Sequence, residues 1–180
     1  MHILPSNHII IISAPSGGGK TTLSKRLIAQ GFAKRSHDFK RFQFKLKPND
    51  IVELSTNKWY ESIASERWIK LLKELDNFEH IYCISLKLPS RRELAKRYLK
   101  RLILEYPRKH LLKPRAWIHG FSYLLTNKLY DSEDIWLSFE SYLRNRYLGR
   151  VTVIELISHS EPSPQDTNLL DDRLRALLVS

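Results

Sequence analysis

The fold class this sequence predicts is a three-layer α/β/α sandwich around a mainly parallel sheet, and two observations carry it. Short apolar strands alternate with amphipathic helices along all 180 residues, the order that builds a parallel sheet with helical crossovers. The first strand also runs straight into a glycine-rich turn, Ile9-Ile-Ile-Ile-Ser-Ala-Pro-Ser-Gly-Gly-Gly-Lys-Thr-Thr22, and an apolar-periodic helix follows at once. In open sheets of this kind ligands sit beyond the carboxyl ends of the strands, so the loops at those ends are the place to look for chemistry.

Taken in order, the first strand spans about His8–Ser13 and the helix after the loop about Lys20–Gln30, with Leu23, Leu27 and Ile28 as its apolar stripe and Gly31 as its stop. Between Phe32 and Asp50, Phe42, Phe44 and Leu46 alternate with Gln43 and Lys45, the period of a short half-exposed strand. Pro48-Asn49-Asp50 reads as a turn and Ile51–Leu54 as a second, buried strand. A helix over about Lys58–Leu75 carries Trp59, Ile63, Trp68, Leu71, Leu72 and Leu75, and His80–Leu88 is a strand ending at Pro89. Ser90 and Glu93 form a capping box for a helix that runs to about Glu105 and is closed by Pro107. Further helices are expected over Pro114–Leu129, with Gly120 as a weak point, and over Asp131–Tyr147, whose acids lie at its N-terminus. Val151–Ile157 is the last strand; a loop over Ser158–Gln165 leads into a helix carrying Leu169, Leu170, Leu174, Leu177 and Leu178. Residues 1–180 therefore read as one domain with a basic, lid-like helical segment at about 90–130.

Composition narrows the compartment and the partners. No apolar run approaches the ~20 residues of a membrane span. Ile9–Ile12 is too short for the apolar region of a signal peptide and lacks a basic segment before it. Cys83 is the only cysteine and lies in the apolar run Ile81–Ile84, so it reads as a buried thiol, and a cytoplasmic protein is expected. Thirty Lys and Arg oppose 19 Asp and Glu, a net charge of +11. The excess is concentrated: Lys87–Arg115 holds eleven basic and two acidic residues, whereas the chain from Asp131 onward holds nine acidic and five basic. A concentrated basic segment beside a phosphate loop points to polyphosphate handling; nucleic acid is the less favoured partner.

The loop itself states its chemistry. Gly17, Gly18 and Gly19 lack a Cβ, so the backbone around Ser16 can curl and aim several N–H groups at one phosphate. The helix N-terminus at Lys20-Thr21-Thr22 adds partial positive charge. Lys20 reaches the β- and γ-phosphates, and the hydroxyl of Thr21 is a ligand for Mg²⁺. ATP or GTP with Mg²⁺ is the expected cofactor pair. Phosphoryl transfer also needs positive charge around the migrating group; Arg92, Lys96 and Lys100 form one i,i+4 row and Arg97 with Arg101 the next, followed by Arg108 and Lys109. Glu53, near the carboxyl end of a buried strand, is the candidate carboxylate for Mg²⁺ or for the acceptor hydroxyl, the other reading being an edge-strand residue facing water. Asp38 is a second candidate base, with a plain loop residue as the competing reading. His37, His80, His110, His119 and His159 show no metal-ligand spacing, and Trp117, Phe121 and Tyr123 have the helical spacing of core residues.

At Ser13-Ala-Pro-Ser-Gly-Gly-Gly-Lys-Thr-Thr22 the sequence resembles a guanylate kinase P-loop and, more broadly, the P-loop nucleoside and nucleotide kinases. A weaker match is Leu88-Pro-Ser-Arg-Arg-Glu-Leu-Ala-Lys-Arg-Tyr-Leu-Lys-Arg101, which is similar to the passage leading into the mobile lid of guanylate kinases, with arginines where Arg97 and Arg101 stand. Together these parts cover about a third of the chain. The resemblance implies a P-loop NTPase fold and a kinase-like nucleotide site, with Lys20, Arg97, Arg101 and Glu53 as the catalytic candidates. It does not extend to GMP: Ser36-His-Asp-Phe-Lys-Arg41 only echoes the arginine motif that binds it, and the segment available is too short for the GMP subdomain. Nor does an aspartate end a hydrophobic strand, as the residue orienting Mg²⁺ usually does in this class. The expected function is an ATP- and Mg²⁺-dependent phosphotransferase acting on a nucleotide, nucleoside or sugar. The alternatives are a non-catalytic NTP-binding accessory or regulatory protein and a nucleic-acid-associated P-loop protein.

Overall fold

The computed structural model describes residues 7–14, 18–39, 45–55, 66–87 and 132–157, together with Lys96, Lys100, Asp172 and Ala176 as single helical positions. These residues form β1 (His8–Ala14), α1 (Lys20–Ala29), β2 (Arg35–Asp38), β3 (Asp50–Ser55), α2 (Glu66–Leu75), β4 (His80–Lys87), α3 (Ser132–Arg146) and β5 (Val151–Ile157). The strands make one five-stranded sheet of order β2-β3-β1-β4-β5, and every neighbouring pair is parallel.

Strand periodicity divides the sheet's two faces into two cores. Ile10, Ile12 and Ala14 of β1 join Leu23 and Leu27 of α1, Ile51 of β3, Ile84 of β4 and Ile154 of β5 on one side. Ile9 and Ile11 join Val52, Leu54, Cys83 and the helical residues Trp68, Leu71, Leu75, Phe139 and Leu143 on the other. The layers are thus α1, the sheet, and α2 with α3. Ile9 to Ile12 are all 0% exposed, each worth about 1.5–3 kcal/mol of transfer from water. Trp68 packs edge-on between Phe39, with ring centroids 5.7 Å apart, and Phe139, 5.3 Å apart, the arrangement that ring quadrupoles favour. The two helices of the far layer are tied together where Tyr147 Oη donates to Leu72 O at 2.9 Å and the Arg150 guanidinium donates to the carbonyls of Leu75, Asp76 and Phe78 at the end of α2.

Four of the predicted strands and three of the predicted helices occur where expected among the described residues. Of the half-exposed strand read at Phe42, Phe44 and Leu46, Phe42 and Phe44 fall outside the described residues, and Leu46 is buried in a connection between Lys45 and Lys47. The fifth strand of the described sheet is the polar segment Arg35-Ser-His-Asp38. Its alternation is invisible to hydropathy because its inward side chains are satisfied by charge. Arg35 donates to both oxygens of Asp50, at 3.0 and 2.7 Å, and His37 Nε2 lies 3.1 Å from Asp50 Oδ2. Asp50, expected in a turn, opens β3 at 0% exposure; its carboxylate also accepts the Lys47 N–H at 2.9 Å. The turn before it is real, with Asn49 at φ 69°. Asp50→Ala should therefore cost about 2 kcal/mol, since the lost bonds orphan an N–H and an imidazole while Arg35 regains water; chemical denaturation of the variant checks it. Residues 58–65 of the predicted second helix, and the helix over Pro114–Leu129, lie outside the described residues; Lys96 and Lys100, within the predicted Ser90–Glu105 helix, are helical and exposed.

At the amino end of the sheet the His80 ring lies tilted against Tyr82, with centroids 4.5 Å apart and an interplanar angle of 47°, and its Nε2 lies 2.8 Å from Thr152 Oγ1. Burial, with His8 beside it in register, lowers the His80 pKa below its ordinary value. The unfolded chain then binds the proton first as pH falls. Stability is complete above about pH 6.5 and declines from there toward the lower folded pKa. Melting temperatures measured between pH 7.5 and pH 5 should fall with acid, and His80→Gln should shallow that slope.

Candidate phosphate-binding site

The loop between β1 and α1 is anchored at both ends by ordinary forces: the isoleucine strand on one side and the apolar stripe of α1 on the other. Gly18 is buried. Gly19 sits at φ 91°, ψ 11°, a left-handed conformation that a Cβ would strain, and its carbonyl accepts the Leu23 N–H at 3.0 Å to begin the helix. Among the described residues no side-chain cap bond closes the start of α1, and its first turn contains no acidic residue, a helix end of the kind that suits an anion. Lys20 Nζ donates to Ala14 O at 2.9 Å, across the mouth of the loop. Thr21 and Thr22 are exposed on the first turn, while Ser24 turns inward and donates to Lys20 O at 3.0 Å. Ser16 and Gly17 lie outside the described residues.

Glu53 comes to this loop by strand geometry. In β3, Val52 and Leu54 face the α2–α3 layer, so Ile51 and Glu53 face α1. The parallel register sets Glu53 opposite Ile12, two residues before β1 ends at Ala14. Its carboxylate is half-buried and fully engaged. Thr21 Oγ1 donates to Oε2 at 2.7 Å, and Ser36 Oγ, from β2, donates to Oε1 at 2.7 Å. Asp38, at the carboxyl end of β2, is in register with Glu53 and exposed. The structure thus brings together Gly18, Gly19, Lys20, Thr21, Thr22 and Glu53. Arg97, Arg101 and Arg108 fall outside the described residues. Ser36 was missed by sequence reasoning; the signal for it was the i,i+2 spacing of Ser36 and Asp38, legible only once Arg35–Asp38 is known to be a strand.

The oxygen donors of Thr21 and Glu53 suit Mg²⁺, a hard cation that is commonly held by one or two carboxylates, waters and the phosphates of its substrate. Among the described residues no cluster of three or more His, Cys, Asp and Glu side chains could hold a metal ion.

A parallel sheet of order β2-β3-β1-β4-β5 whose central strand feeds a glycine loop and a helix N-terminus defines the α/β P-loop NTPase fold. No protein-family model matches the chain, and no curated protein does. Among solved structures it is similar to a shikimate kinase from Bacteroides thetaiotaomicron, at a TM-score of 0.46 and 12% identity, over 96% of this chain and 98% of that one. A likeness that slight does not bear on activity. These comparisons do not confirm the resemblance of the loop to guanylate kinases. No helix among the described residues is long and apolar enough to cross a membrane.

Proposed function

We propose that this chain is a P-loop phosphotransferase that uses ATP or GTP with Mg²⁺ to phosphorylate a hydroxyl of a small-molecule acceptor. The observation that carries the reading is the 2.7 Å hydrogen bond between Thr21 and Glu53. A P-loop hydroxyl paired with a carboxylate from the adjacent strand is the donor set that P-loop NTPases use for Mg²⁺, and here a glutamate takes the part for which the sequence offered no aspartate.

In this reading the N–H groups around Gly18 and Gly19 and the open end of α1 bind the donor phosphates. Lys20 exchanges its bond to Ala14 O for the β- and γ-phosphate oxygens. Thr21 and Glu53 would hold the cation, which would neutralise phosphate charge. The acceptor lies against the carboxyl ends of β2 and β3. Asp38 takes the proton from its hydroxyl as that oxygen bonds to the γ-phosphorus and the bond to the nucleoside diphosphate breaks. Arg97, Arg101 and Arg108 supply the charge that closes over the migrating group.

Calorimetric titration with ATP and GTP, with and without Mg²⁺, followed by a panel of nucleoside monophosphates, nucleosides and sugars, tests the reading. Lys20-dependent binding with diphosphate release on one acceptor is the expected result and names the substrate. Binding without any acceptor-stimulated turnover would replace it with the non-catalytic accessory role, and retention on RNA or DNA at low salt without nucleotide binding would replace it with the nucleic-acid role.

A further inference from the structure

The carboxylate of Glu53 sits on a three-bond side chain, which in a half-buried position could point its oxygens toward the loop, toward β2 or toward water. Only one orientation serves a cation at Thr21. The rotamer is chosen by two hydrogen bonds of equal length, one to each oxygen: Thr21 on Oε2 and Ser36 on Oε1, both at 2.7 Å. Thr21, on the first turn of α1, would itself be a ligand of the cation, and its hydroxyl hydrogen would then turn away from Glu53. That of Ser36 would not. It is part-buried on β2, a strand held parallel to β3 by backbone bonds and pinned at its start by Arg35 and His37 on Asp50. Its grip on Oε1 would survive the exchange and leave Oε2 facing the loop.

We propose that Ser36 is a positioning residue for the metal-binding carboxylate. Held on the edge strand, it donates to Glu53 Oε1 and keeps Oε2 presented to the cation shared by Thr21 and the nucleotide phosphates. This rests on the phosphotransferase reading and adds to it a dependence on a residue that acts through Glu53. The hydroxyl also links the strand that ends at Asp38, on the acceptor side, to the carboxylate on the donor side.

The test compares Ser36→Thr with Ser36→Val, two β-branched side chains of nearly equal shape that differ in the hydroxyl, with Ser36→Ala beside them. Melting curves establish that each variant is folded; Val and Thr both favour strands, which keeps the comparison usable even where Ala destabilises the edge. Nucleotide affinity is measured by calorimetry without Mg²⁺ and across a Mg²⁺ titration. Ser36→Val and Ser36→Ala should leave metal-free nucleotide affinity within about twofold of the parent, and raise the Mg²⁺ concentration for half-maximal enhancement about tenfold, the scale of one hydrogen bond to a carboxylate. Ser36→Thr should restore the parent's Mg²⁺ requirement. A Ser36→Val variant with the parent's Mg²⁺ requirement overturns the role of Ser36 and leaves the phosphotransferase reading standing. A parent protein whose nucleotide binding ignores Mg²⁺ overturns both. Equal losses with and without Mg²⁺ would make Ser36 a structural residue only, and that too overturns the proposal.

Discussion

Lys20→Ala is expected to lower turnover about a thousandfold or more while leaving the protein folded. The size follows from the work the ammonium does. A preorganised charge aimed at a phosphoryl group as negative charge redistributes is worth several kcal/mol in a site from which water is excluded. The intact fold follows from the scale of what the Lys20 ammonium holds in the free protein: its hydrogen bond to Ala14 O is worth about 1 kcal/mol. The helix itself begins with Gly19 O and the Leu23 N–H, which the substitution does not touch. The measurement is product formation beside a melting curve. A fully active Lys20→Ala protein would remove the phosphotransferase reading.

Glu53→Gln is the second large effect. Glutamine keeps the length and an acceptor oxygen, so either Thr21 or Ser36 can still find a partner and the strand, with Val52 and Leu54 at 0% and 1% exposure on its other face, stays packed. The negative charge that offsets a divalent cation is gone. Turnover should fall about a hundredfold, and the gain in nucleotide affinity on adding Mg²⁺ should shrink to near nothing while metal-free binding is preserved. Calorimetry with and without Mg²⁺ separates those two quantities. Glu53→Asp retains the charge but shortens the reach by one methylene. It should lose much of the Mg²⁺ response as well, because the register that places Glu53 opposite Ile12 leaves its carboxylate to span the distance to Thr21.

These two residues differ in how they could be read from the sequence. The proposed role of Lys20 could be read locally: the glycines before it, the strand of isoleucines and the helix that follows are all within a few residues. Glu53 was legible only as one of two readings. Its neighbours Val52 and Leu54 announce a buried strand, but whether a carboxylate there faces water or a cation depends on which strand lies beside it. The order β2-β3-β1-β4-β5 makes β3 an interior strand next to the loop. Ser36 was legible not at all as a site residue, because the strand that carries it is stabilised by Arg35, His37 and the buried Asp50 and so lacks the apolar alternation by which strands are recognised. Of the apolar alternation at Phe42, Phe44 and Leu46, the described member Leu46 is buried against the α2–α3 layer without belonging to the sheet.

By itself, then, the sequence determined the layered α/β class, the position of most of the described strands and helices, and the glycine-rich turn between β1 and α1. Each of these follows from short-range causes: hydropathy period, glycine torsions and helix ends. The tertiary structure decided what those pieces do together. It set the order of the strands, put the Glu53 carboxylate within 2.7 Å of the Thr21 hydroxyl, and recruited a polar edge strand to hold that carboxylate from behind. Those are contacts between residues 15 and more positions apart, fixed by sheet register and by the packing of two separate cores, and no local pattern encodes them.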